Sequence, residues 1–231
     1  MPWDNIGLLV GDGSAPVERA LICLDITPTA IETAVANGCT LLISHHPVIF
    51  NALKTLPTGS VPYLLAQHGL SALCAHTNLD AAYGGVNDTL AELLGLCPIG
   101  VAADGTTRLA ETREPMTAQA FAAMTAERLH TAVRVSAADR PIRRVAICTG
   151  AGGDLTLEAA AQDAAVDTIL TGELKHHEWL EAAARGLTAL EAGHYATEVP
   201  VIYTLYKWLT DAFPKVTFRT FEQPPYRTID K

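Results

Sequence analysis

The chain has 231 residues, 49% of them hydrophobic and 18% charged, and a formal net charge of −9. Such a length suits one large domain or two small ones, and the acidic balance argues against general binding to nucleic-acid backbones, which needs clustered Lys and Arg. There is no basic leader followed by an apolar stretch and no run long enough to span a bilayer, and the five cysteines are scattered with no C-x-x-C pair, so a reducing cytoplasm without a disulfide framework is expected.

Leu8 to Val10 predicts a strand, and Gly11-Asp12-Gly13 is turn chemistry. The continuous apolar run Ala20-Leu21-Ile22-Cys23-Leu24-Asp25 has the character of a strand buried on both faces. Thr27-Pro28 predicts a helix start, with a capping hydroxyl and proline at the first helical position, and Gly38 its end. A strand over residues 40–44 follows, then a helix from Val61 to Gln67 closed by Gly69, then a strand over residues 70–75. This is β-α-β-α-β, for which right-handed crossovers and a mostly parallel sheet are expected.

Val86 to Leu94 predicts a helix, and Arg108 to Thr112 and Val133 to Ser136 predict strands around a helix from Thr117 to Leu129. Glu114-Pro115 and Asp139-Arg140-Pro141 read as joints. The first pattern then returns. Residues 144–148 match the early apolar run, residues 167–171 before Lys175-His176-His177 echo residues 41–46, and residues 185–194 repeat residues 68–76. An internal duplication of one β-α-β-α-β unit follows. A last helix is expected over Glu198 to Phe213, apolar at Ile202, Leu205, Leu209 and Phe213, before a β-like tail over residues 216–221.

The chemistry collects at the carboxyl ends of the expected parallel strands, where open sheets bind ligands. Ser44-His45-His46-Pro47 places two adjacent imidazoles where Pro47 forces the chain to bend. Neighbouring side chains on a strand point to opposite faces, so the pair suits two ions a few ångströms apart rather than one. Other ends carry Asp25, His76-Thr77-Asn78-Leu79-Asp80, Thr171-Gly172-Glu173 and Gly193-His194-Tyr195-Ala196-Thr197-Glu198. Imidazoles and carboxylates from several strand ends are what a cluster of borderline divalent ions needs. With His194 ending a strand, Thr197 can cap the next helix and Glu198 sits in its first turn.

Five motifs, W-D-N-I-G-L-L-V-G (residues 3–11), S-H-H-P-V (44–48), H-T-N-L-D-A-A-Y-G-G-V-N-D (76–88), T-G-E-L-K-H-H (171–177) and G-H-Y-A-T-E (193–198), resemble those of the Nif3-like dinuclear-metal family in their order along the chain. Its members are often called GTP cyclohydrolase 1 type 2 homologs. The resemblance implies two interlinked α/β domains and a toroidal homohexamer. The metal-site domain would comprise residues 1–100 and 186–231, and the second domain residues 101–185. It implies metal ligands at His45, His46, Asp80, His194 and Glu198, with Glu198 bridging two divalent ions per chain; zinc, iron, manganese and nickel all suit these donors. It also implies a helix ahead of W-D-N, where this sequence has Met1-Pro2.

His76 is the first candidate for a proton carrier, the alternative being a hydrogen bond that orients Asp80. Glu173 and His177 carry the same two readings, leaning to support of a ligand. Gly150-Ala151-Gly152-Gly153 follows a strand and precedes a helix but lacks phosphate-loop spacing, so a tight turn is expected. Asp4 and Asn5 line the site or merely start a strand. Tyr203, Tyr206, Trp208, Phe218 and Phe221 are more aromatic surface than a small domain needs, which suggests self-association. The function expected is a metal-dependent hydrolase of a small molecule such as a nucleotide or other phosphorylated compound, without membrane or general nucleic-acid binding. The alternative is a non-enzymatic metal-handling or scaffold protein.

Overall fold

Apolar runs of four to seven residues can be satisfied as strands only if both faces of the sheet are covered, and the alternating helices supply that cover. The structure is a computed structural model that describes residues 3–136 and 140–227. Met1-Pro2, and Asp139 of the second expected joint, lie outside the described residues.

The elements in chain order begin with β1 (Gly7–Val10), β2 (Arg19–Cys23), α1 (Pro28–Ala36), β3 (Leu41–Ser44), α2 (Val61–Gln67), β4 (Ser71–Cys74) and α3 (Thr77–Ala81). Then come α4 (Val86–Leu93), β5 (Cys97–Val101), β6 (Arg108–Met116), α5 (Ala118–Leu129), β7 (Arg134–Val135), β8 (Ile142–Cys148) and α6 (Gly153–Gln162). The series closes with β9 (Thr168–Thr171), α7 (His176–Ala184), β10 (Thr188–Glu191), α8 (His194–Glu198), α9 (Val201–Ala212) and β11 (Thr217–Phe221). Among the described residues, no helix is long and apolar enough to cross a membrane.

The chain divides into two units. The first comprises residues 3–79 and Ile202–Gln223. Its sheet has the order β1-β4-β3-β2-β11, in which β2, β3, β4 and β11 run parallel and β1 lies antiparallel on β4. The Thr27 hydroxyl caps α1 by accepting from the Ala30 N–H at 3.1 Å, with Pro28 inside the first turn. Gly38 ends it at φ +65°. Leu21, Cys23, Leu42 and Ala72 of the strands pack on Ile31 and Leu65 of the helices.

The second unit comprises Asp80–Val201 and residues 224–227. Its sheet has the order β5-β6-β8-β9-β10-β7. β8, β9 and β10 are parallel and joined through α6 and α7, the β-α-β-α-β pattern again, and β5, β6 and β7 join antiparallel at the flanks. Side chains alternate across this sheet. Val145, Ile147, Leu170 and Leu190 face a core with Phe121, while Ala146, Ile169 and Ala189 face one with Leu157 and Ala182.

Several expectations need correction. Glu114-Pro115 is not a joint but lies within β6, where Pro115, lacking an N–H, falls in the interruption of β8 pairing between Glu111 and Met116. The β5–β6 hairpin was not foreseen. β10 is bonded into the second sheet, and the two units meet in sequence at 79/80 and 201/202. The expected last helix is two helices, since Val199-Pro200 forms a turn between α8 and α9. Phe218 is buried, Phe221 is half-buried against the first core, and Phe213 is exposed. Of the five aromatic residues expected at the surface, Tyr203, Tyr206 and Trp208 are exposed.

Candidate metal centre

In the first unit β3 ends at Ser44, whose hydroxyl donates to the His46 carbonyl at 2.8 Å, while the His46 N–H donates to the Leu24 carbonyl at 3.0 Å. These bonds hold the bend that Pro47 continues. They bring the two adjacent imidazoles onto one side, with ring centroids 5.0 Å apart, and the His76 ring stands 5.3 Å from that of His45. One donor atom of each of the three histidines lies within 4.8 Å of the others.

Each ring is held by its Nδ1. That of His45 is 2.9 Å from the Ala75 carbonyl, which can only accept, so Nδ1 carries a proton. His46 Nδ1 meets Asp25 Oδ1 at 2.8 Å, and His76 Nδ1 meets Asp4 Oδ1 at 2.8 Å. Such partners fix the tautomer and orientation of metal-binding imidazoles.

The Asp4 side chain is fully buried. Burial alone would raise its pKa, but hydrogen bonds from Thr77 and His76 prevail and hold it down to about 2. Thr77 donates through its hydroxyl at 2.6 Å and its backbone N–H at 3.1 Å. Asn5 donates to the Ile49 carbonyl at 2.5 Å, and the Phe50 ring stands edge-on to His76 with centroids 6.3 Å apart. Asp4 thus supports His76 directly, and Asn5 anchors the neighbouring loop.

Asp80 does not sit at a strand end. It occupies the short helix α3, and its carbonyl accepts from the buried Asn87 amide at 3.3 Å.

In the second unit the expected placement of His194 and Glu198 needs revision. Gly193, at φ +83°, turns the chain directly out of β10, so His194 opens α8 and Glu198 closes it. The Thr197 hydroxyl donates back to carbonyls of Gly193 and His194 rather than capping a following helix. An i, i+4 pair shares one helix face, and His194 Nε2 lies 3.1 Å from Glu198 Oε2. Glu173 Oε1 holds His194 Nδ1 at 2.9 Å. The Glu198 hydrogen bond raises the His194 pKa against the opposing effect of burial, and Glu173 adds to the rise.

Small residues back this pair. A Cβ on Gly172 would lie 2.6 Å from the Gly150 carbonyl and 2.8 Å from His194 Cα. At Gly150, which has φ +60°, a Cβ would run into the Glu198 carboxylate. The Gly150 N–H donates to Thr197 Oγ1 and the Gly152 N–H to Thr171 Oγ1, so both of these N–H groups are engaged within the unit.

The geometry brings together His45, His46 and His76 in one unit, and His194, Glu198 and Glu173 in the other. His177 is exposed in the first turn of α7 and belongs to none of the donor groupings found among the described residues. The roles of Asp25 and Asn87 were not read from the sequence. Asp25 offered one signal, a carboxylate at a parallel-strand end beside the histidine strand.

Known proteins share this architecture. The Staphylococcus aureus protein SA1388 superposes with a TM-score of 0.89 at 26% identity, over 99% of this chain and 93% of that one. A Streptomyces coelicolor protein named GTP cyclohydrolase 1 type 2 homolog is 35% identical over 86% of this chain and 75% of its own. A Clostridium acetobutylicum protein of the same name is 28% identical over 94% of this chain and 86% of its own. The sequence model of the Duf34/NIF3 (NGG1p interacting factor 3) family matches residues 1–225. The chain therefore belongs to the Duf34/NIF3 family.

Proposed function

We propose that His45, His46, Asp80, His194 and Glu198 hold two divalent ions, with Glu198 bridging, and that the protein is a metal-dependent hydrolase of a nucleotide or other phosphorylated small molecule. The observation that carries this reading is the shared state of the imidazoles. Nδ1 of His45, His46 and His194 is held by Ala75, Asp25 and Glu173 respectively, the outer support by which metal-binding imidazoles are oriented. Imidazole with carboxylate suits zinc, iron, manganese or nickel.

When bound, such ions supply Lewis-acid stabilisation of an oxyanion and a water acidic enough to react near neutral pH. The chain's own contribution is positional. His76, fixed through Nδ1 by the ionised Asp4, keeps Nε2 for taking or giving a proton. Phe50 walls one side of that ring.

The relatives' name supports an enzyme acting on a nucleotide. Four buried cysteines among five free ones support a reducing, cytoplasmic setting. The exposed Tyr203, Tyr206 and Trp208 on α9 support self-association, which the family resemblance extends to a toroidal homohexamer. The same surface favours the rival reading of a metal-handling scaffold.

A screen of nucleotides and phosphoesters with metal-reconstituted protein, and His46→Ala as control, tests the proposal. Turnover by the native protein and its loss in the variant are expected. No turnover by fully loaded protein would replace the hydrolase with the scaffold.

A further inference from the structure

Asn87 is wholly buried on α4, and its side-chain amide has all four hydrogen-bonding positions engaged. The NH2 group donates to the Asp80 carbonyl at 3.3 Å and to the Thr106 carbonyl at 3.1 Å. The carbonyl oxygen accepts from the Thr149 N–H at 2.8 Å and from the Thr149 hydroxyl at 3.0 Å. One side chain thus clamps the backbone at Asp80 and the backbone one residue before Gly150.

Gly150 is the residue whose Cα faces the His194–Glu198 pair, with no room for a Cβ. Its N–H is tied to Thr197 on the same short helix as both of those residues. The chain of contacts therefore runs from Asp80 through Asn87, Thr149 and Gly150 to Thr197 and Glu198, all within the second unit. A buried amide with every bond made has one orientation, because rotating it would set oxygen against oxygen at Asp80 and Thr106.

We infer that Asn87 is a positioning residue that sets the separation of the Asp80 and Glu198 carboxylates, and so the fit of the second ion. The inference rests on the dinuclear reading above. An outer partner of this kind typically changes metal affinity by about 10–100-fold.

Cobalt(II) titration of metal-free protein, followed by visible absorption, gives a readout independent of activity. The native protein should take up two ions. Asn87→Ser, which keeps a small polar group, should bind one ion normally and the other about 10–100-fold more weakly, with altered absorption bands. Asn87→Asp, which sets a carboxylate oxygen against two carbonyls, should show a larger loss. Leu90→Ala, a buried change on the same helix, controls for lost stability and should keep both affinities.

If native protein binds two ions and Asp80→Ala binds one, yet the Asn87 variants bind as the native protein does, the inference alone is overturned. It is equally overturned if Leu90→Ala weakens the ions as much as Asn87→Ser. If native protein binds fewer than two, or Asp80→Ala binds as many as native, the dinuclear reading falls and the inference with it.

Discussion

His76 Nδ1 lies 2.8 Å from Oδ1 of Asp4, a carboxylate with no exposed side-chain surface. A buried carboxylate in that position stays charged only because Thr77 and His76 donate to it, and its pKa is held near 2. Its folded pKa is below the unfolded value, so its contribution to stability is complete above about pH 4 and is lost as pH falls from 4 toward 2. Asp4→Asn should therefore lower the unfolding free energy at neutral pH by about 1–3 kcal/mol. It should also flatten the acid limb of stability against pH in that window. Denaturation of both proteins at pH 7, 4 and 2.5 checks the pair of outcomes, and parallel curves would contradict the role assigned to Asp4.

Metal content follows from the division of ligands. Elemental analysis of gently purified, metal-replete protein should approach two divalent ions per chain. Glu198→Ala should lose both, because a bridge is shared, whereas Asp80→Ala should empty mainly one position. A reproducible value near one in the native protein would reject the dinuclear arrangement.

His76→Ala separates proton transfer from metal binding. The variant should retain its ions yet lower turnover of a substrate from the screen by about 10²–10⁴-fold. Full metal with full activity would leave His76 no part in the chemistry. A loss of metal would instead make it a ligand, as its closeness to His45 and His46 also permits.

Gly150→Ala tests the close approach behind Glu198. The added methyl group meets both an unfavourable φ of +60° and the Glu198 carboxylate. A destabilisation of more than about 1 kcal/mol in thermal unfolding is expected, together with weakened metal uptake. Wild-type stability and uptake would show that the loop yields without disturbing α8.

The parallel strands were legible in sequence because strands buried on both faces leave continuous apolar runs, as Ala20 to Cys23 do. The capping of α1 was legible for the same local reason, Thr27 and Pro28 being adjacent. The β5–β6 hairpin was not, since β5 is largely exposed and contains Pro98, and β6 contains Pro115. The early start of α8 depended on Gly193 turning the chain out of β10, which lets His194 and Glu198 share one helix face. Asp4, Asp25 and Glu173 reach their histidines across 72, 21 and 21 residues of sequence, so no local pattern reveals those pairings. Asn87 lay within a quoted motif, but its role depends on Thr106 and Thr149, which only the fold brings near.

The pairing of Thr217–Phe221 with Arg19–Cys23 fixes an order of events during synthesis. Until β11 has emerged from the ribosome, β2 is an open edge of the first sheet, and it is almost wholly apolar. An unpaired apolar edge is a template for joining another chain. The second unit must therefore be made while the first is still incomplete. A chain released before residue 217 should associate through β2 even though both histidines of β3's end have already been translated.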